Sequence, residues 1–159
     1  MLRKILRRLG WFLAVLFVAI QFVRPAKNSS PVPGPGDITA KIAVPADVQR
    51  VFVKACYDCH SDQTRYPWYA NIQPVGWWLE SHINDGKKHL NFSEFGAYKA
   101  QTADRRLRQI AREVDDGSMP LNSYTWIHRD AILTAAEIKL IDDWVVAARA
   151  QNTPPAMAK

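Results

Sequence analysis

The sequence is short of the features that mark most binding and catalytic classes. Only two cysteines occur in 159 residues, Cys56 and Cys59, so the second ligand pair of an ordinary zinc site is missing; with His60, only His82, His89, His128 or a carboxylate could complete one. No stretch sustains the alternation of a half-buried strand, and there is no internal repeat. No acidic residue precedes Asp37, whereas six of the 21 basic residues do, leaving 15 basic against 15 acidic side chains from residue 28 onward. The net charge of +6 therefore belongs to the N-terminal segment and lends little support to a nucleic-acid-binding face. The serines and carboxylates form no recognisable nucleophile–base arrangement, and Asp115 and Asp116 read as a solvated helix end.

What is present begins with MLRKILRRLGWFLAVLFVAIQFVRP, four basic residues followed by the uncharged run Leu9 to Val23. This is an export pattern with the positive end retained in the cytoplasm. Fifteen helical residues cover roughly 22 Å against a hydrocarbon core of about 30 Å, a length suited to a cleaved signal peptide. No small-x-small cleavage site follows, however: Ala26 has Arg24 two positions earlier and Ala19 has Phe17. Adding Ile5 and Leu6, with Arg7 and Arg8 reaching toward the headgroups, supplies the missing length. Residues 1–24 are therefore expected to form an uncleaved single-pass anchor in preference to a signal peptide, and the rest of the chain is expected outside the cytoplasm, soluble there if the segment is cleaved.

Residues 25–44 are Pro-rich and predict a semi-extended linker holding the domain off the membrane. Residues 45–150 carry helical spacing and predict an all-α domain, and 151–159 a disordered tail. Pro45 suits a helix start, with Val48, Val51, Phe52 and Ala55 on one stripe leading to Cys56. Pro74 opens a second helix. Thr102 is the expected N-cap of a third, with Leu107, Ile110, Ala111 and Val114 on one face and Gly117 at its end. Thr134 and Glu137 form a capping-box signature for the last, whose inner face is Ile138, Ile141, Trp144, Val145 and Ala148. Trp68, Trp77, Trp78 and Trp126 are each expected to fill the core, a density that also suits a core built around a large flat cofactor.

The chemistry centres on KACYDCHSD, where Cys56, Cys59 and His60 have the spacing C-x-x-C-H. Two thiols separated by two residues on a helical turn can add to the two vinyl groups along one porphyrin edge, and the adjacent imidazole then reaches the iron from one face. A structural disulfide leaves His60 unexplained, and a thioredoxin-like dithiol needs a strand before the first cysteine. The pattern thus predicts one covalently bound haem c, with His60 as proximal iron ligand. Met119, the only methionine inside the domain, stands in DDGSMPL; this region resembles the segment that supplies the distal sulfur in small c-type cytochromes. His82, His89 and His128 are its rivals. His82 and His89, about two helical turns apart, could face the same side, and they, Lys87, Lys88 or Arg129 could hold a haem propionate.

The chain resembles the haem-binding domain family of membrane-anchored or exported bacterial proteins over roughly residues 45–147. The resemblance rests on CYDCHSDQTRYPWYANIQPVGWW, HINDGKKHLNFSEF and SMPLNSYTWIHRDAILT. It implies haem c attached at Cys56 and Cys59 in an all-helical, cytochrome c-like domain, with His60 proximal. The function expected is one-electron transfer at the outer (periplasmic) face of the bacterial cytoplasmic membrane with periplasmic or membrane redox partners, not enzymatic turnover and not nucleic-acid binding. The alternative is a haem-based small-ligand sensor, or a peroxidase-like module, whose sixth coordination position opens. A weaker third reading is an interaction domain with a structural disulfide.

Overall fold

The computed structural model describes residues 1–152. Its elements are α1 (Leu2–Ile20), α2 (Ala46–Ala55), α3 (Tyr57–His60), α4 (Val75–His89), α5 (Ala100–Asp115), α6 (Asn122–Thr125) and α7 (Ala135–Asn152), with short 3-10 turns between them. Among the described residues no strand forms, and the β pairing shown is one isolated bridge, Ser29 to Gln63. The domain is all-α, as its apolar spacing predicts.

Three helices supply most of the core. Val48, Val51 and Phe52 of α2, Ala103, Leu107, Ile110 and Val114 of α5, and Ile141, Trp144, Val145 and Ala148 of α7 are all buried in one cluster. The three- and four-residue spacing of these positions gives each helix one continuous stripe to bury. Phe52 is its hub, with ring centroids 5.0 Å from both Phe92 and Trp144. At the start of α7 the capping box forms as expected: the Thr134 N–H donates to Glu137 Oε2 at 2.9 Å and the Glu137 N–H to Thr134 Oγ1 at 3.3 Å. Glu137 also pairs with Lys54 at 2.6 Å, tying α7 to the end of α2.

Several elements differ from expectation. Thr102 is not a cap: α5 begins at Ala100, with Lys99 as its N-cap, because Ala100 and Gln101 are good helix formers and extend it past the threonine. Gln151 and Asn152, expected in the tail, complete α7, where Asn152 Nδ2 donates to the Ala100 carbonyl at 2.8 Å; the rest of that tail, 153–159, lies outside the described residues. The four tryptophans expected in the core are not there. Trp68, Trp78 and Trp126 are exposed and Trp77 is half-buried, whereas Trp144 is buried.

The Pro-rich stretch 25–44 lies against the domain over much of its length. Ile38 and Ile42 enter the core. Asn28 donates through Nδ2 to the Ser61 carbonyl and to Thr64 Oγ1, both at 2.8 Å, and the Ser30 N–H donates to the Asp62 carbonyl at 2.6 Å. The physical reason is a pair of apolar side chains four residues apart, whose burial favours docking over extension.

No buried residue lies in α1, and large apolar side chains from Leu2 to Val18 stand exposed along it. Its end is fixed to the domain: Gln21 and Gln73 exchange hydrogen bonds of 3.1 and 2.9 Å, and Trp77 Nε1 donates to the Val23 carbonyl at 2.8 Å. Among the described residues, no helix is long and apolar enough to cross a membrane.

Candidate functional site

Cys56 sits at the joint between two helices. Its N–H closes α2 on the Phe52 carbonyl at 2.8 Å, and its own carbonyl accepts from the Cys59 and His60 N–H groups at 3.2 and 3.0 Å. That single turn brings Cys56, Cys59 and His60 onto one wall of a cavity of about 380 Å³. The size falls within the usual range for a small-molecule or cofactor site. His82, Asp85, Gly86 and His89 of α4 form a second wall, Arg106, Gln109, Ile110, Glu113 and Val114 of α5 a third, and Met119, Pro120, Leu121 and Tyr124 close it.

Both cysteines are unbonded thiols. Burial, with the neighbouring Cys59, pushes the Cys56 thiol up to about 12, and burial beside Asp58 pushes Cys59 up to about 11. A nucleophilic redox dithiol needs the opposite shift. His60 Nδ1 lies 3.0 Å from the Leu90 carbonyl. A carbonyl can only accept, so Nδ1 carries the proton and Nε2 keeps its lone pair. Burial lowers the pKa of His60, partly opposed by hydrogen bonding to the Leu90 and Gly86 carbonyls, and favours the neutral imidazole that can ligate a metal.

Met119 reaches the cavity because the chain reverses after α5. Gly117 takes φ +74°, Asp116 Oδ1 accepts from the Ser118 N–H at 2.9 Å, and the Met119 N–H donates to the Glu113 carbonyl at 2.9 Å. An L side chain would be strained at that glycine. His82 and His89 line the same cavity, as their spacing predicts; His82 Nδ1 pairs with the Trp78 carbonyl at 2.9 Å. His128 does not line it. Its Nε2 is 2.8 Å from the Tyr69 hydroxyl, and its ring stacks on Tyr124. Lys87 and Lys88 are engaged elsewhere, Lys87 with Asp62 and Asn28, Lys88 with Asp85, and neither these nor Arg129 faces the cavity.

The structure adds residues that spacing did not reveal. Asp58, inside the C-x-x-C-H turn, is buried and takes two hydrogen bonds from the Arg65 guanidinium at 3.1 and 3.0 Å and one from the Tyr124 hydroxyl at 2.6 Å. A carboxylate placed in the middle of an otherwise short, packed motif was the available signal. Gly86 lets α4 approach α3: a Cβ there would meet the Cys59 carbonyl oxygen at 2.6 Å. Arg106, on the cavity face of α5, had no sequence signal at all.

These residues suit a porphyrin iron. Two free thiols, an imidazole with a fixed tautomer and a thioether sulfur line one predominantly apolar cavity, and among the described residues no group of three or more His, Cys, Asp or Glu side chains is placed to hold a bare metal ion. Comparison with known proteins agrees. The family model described as "Haem-binding domain" matches residues 15–147. No curated protein and no solved structure matches the chain.

Proposed function

Because the chain belongs to the haem-binding domain family, we propose that it holds one haem c and passes single electrons at the outer face of the cytoplasmic membrane. The observation that carries this reading is the convergence of Cys56, Cys59, His60 and Met119 on one cavity. Cys56 and Cys59 would hold the porphyrin edge by thioether bonds, with His60 Nε2 as proximal and Met119 Sδ as distal ligand. When bound, the haem supplies a one-electron couple.

The protein's part is to fix the ligands. The Leu90 carbonyl holds the His60 tautomer, and the α5–α6 turn holds Met119 close to the end of α5. A thioether ligand raises the reduction potential relative to a second imidazole. His82 and His89 supply the specific support for the second reading, a ligand-sensing site: both line the cavity, and if Met119 were not held on the iron they would face a ligand bound at the sixth position.

For the membrane, the support is α1 itself, whose apolar side chains find no cover in the domain. Four basic residues at its start suit the cytoplasmic side, and snorkelling by Arg7 and Arg8 would extend its apolar reach.

The test is a visible spectrum of protein made with cytochrome c maturation factors. A c-type α band, with the weak long-wavelength charge-transfer band of iron–sulfur bonding in the oxidised form, is expected. Rapid CO binding by the reduced protein with its fold retained would favour the sensor, and protein without covalent haem would sink both readings.

A further inference from the structure

The charged residues of the cavity wall are not evenly matched. Asp58 is held by Arg65, Asp85 pairs with Lys88 at 2.8 Å, and Glu113 pairs with Arg112 at 2.7 Å. Arg106 stands apart. It contributes its side chain to the same wall, forms no ion pair among the described residues, and makes one hydrogen bond, from Nη1 to Gln109 Oε1 at 2.9 Å. Its Nε is buried without a partner. A buried guanidinium nitrogen left unpaired is costly, whereas a planar carboxylate can satisfy two guanidinium donors at once.

We propose that Arg106, positioned by Gln109, receives a propionate carboxylate of the bound haem and raises the haem's reduction potential. This rests on the haem reading above. Besides the three histidines His60, His82 and His89, Arg106 is the only basic side chain on the cavity wall among the described residues. A porphyrin bearing two propionates must place or solvate both, and an arginine without a carboxylate partner is the complementary group. Its position in α5 follows from helical geometry: three and seven residues before Gln109 and Glu113, it shares their face, beside the buried stripe of Leu107, Ile110 and Val114. Arg106 touches no iron and is a positioning residue. Its effect on the couple comes from its charge, which disfavours the extra positive charge of the oxidised iron.

The experiment uses full-length holoprotein. Arg106→Gln removes the charge and keeps a polar side chain; Arg106→Lys keeps the charge and loses the forked donor geometry. Arg106→Gln is expected to shift the one-electron equilibrium toward the oxidised form by about tenfold, a fall of about 59 mV in midpoint potential, and to shift the propionate bending mode in the resonance Raman spectrum. Arg106→Lys is expected to hold the potential near the wild-type value while still shifting the Raman mode, so it remains informative if the glutamine variant does not accumulate. Haem-loaded variants matching wild type in both measurements would overturn the role of Arg106 alone. Wild-type protein without haem would overturn the haem reading with it.

Discussion

The Tyr124 hydroxyl donates a 2.6 Å hydrogen bond to Asp58 Oδ2, joining residues 66 positions apart in the chain. It fastens α6 to the C-x-x-C-H turn, and with α6 comes the preceding segment that carries Met119. Burial first, and then the bond and charge of Asp58, raise the pKa of Tyr124, so the phenol remains a donor through the physiological range. Tyr124→Phe removes one bond to a buried carboxylate that keeps its Arg65 partner. A loss of about 1.5–3 kcal/mol is expected, the usual range for a hydrogen bond to a charged group. In holoprotein the iron–sulfur charge-transfer band should weaken as Met119 loses its support. Urea titration and the oxidised spectrum check the two effects, and a variant of unchanged stability would show that the bond contributes nothing net.

Gly86 makes a sharper packing prediction. Alanine at an ordinary helical glycine stabilises by about 0.5–1 kcal/mol. Here the new Cβ would lie 2.6 Å from the Cys59 carbonyl oxygen and 3.3 Å from Cys59 Cβ. Backbone cannot yield as a flexible side chain can, so α4 must move away from the cysteine turn. Gly86→Ala is expected to destabilise by about 1–3 kcal/mol and to lower the yield of covalently loaded protein. Greater thermal stability in the alanine variant would rule out the close approach.

How far the sequence could be read depended on the range of the interaction. Cys56, Cys59 and His60 lie in one turn, so their spacing alone carries the chemistry, and the buried stripes of α2, α5 and α7 follow from local periodicity. The place of Met119 on the cavity wall follows from the turn around it. Asp58 with Tyr124, Gly86 with Cys59, and the cavity face of Arg106 depend on helix docking between distant segments, which no local pattern encodes. The tryptophans mislead for a related reason: size and apolarity favour burial on average, but Trp68 and Trp126 occupy short turns and connections outside the packed helix stripes. Ile38 and Ile42 lie in a proline-rich stretch whose composition concealed that it packs on the domain.

Met119 itself is tested by substitution. Met119→Ala should abolish the charge-transfer band and lower the midpoint potential if His82 or His89 takes the vacant position, since imidazole gives a lower potential than thioether. The triple variant Met119→Ala, His82→Ala, His89→Ala should then bind CO rapidly when reduced. His128→Ala should leave the band intact, because His128 is engaged with Tyr69 and lies off the cavity wall. Absence of the band from the wild-type protein, or its persistence in Met119→Ala, would remove Met119 as the ligand.

In protein made without maturation factors the two thiols give a prediction in pH. Burial raises Cys56 from 9.0 to about 12 and Cys59 from 9.0 to about 11. In the unfolded chain both titrate near their ordinary values, so between roughly pH 9 and 12 the folded state binds more protons than the unfolded state. Stability from this source is therefore fully present below about pH 9 and is lost as pH rises toward the folded values. Buried Tyr57, also raised to about 12, contributes in the same direction. The haem-free protein should lose stability in urea over this alkaline interval, and Cys56→Ala with Cys59→Ala should flatten the loss without abolishing it. At pH 8 the native thiols should react with iodoacetamide much more slowly than in denaturant, because little thiolate is present. Alkylation as fast in the native as in the unfolded protein would mean that the cysteine turn is open to solvent, and that the cavity wall it forms is not maintained before the cofactor arrives.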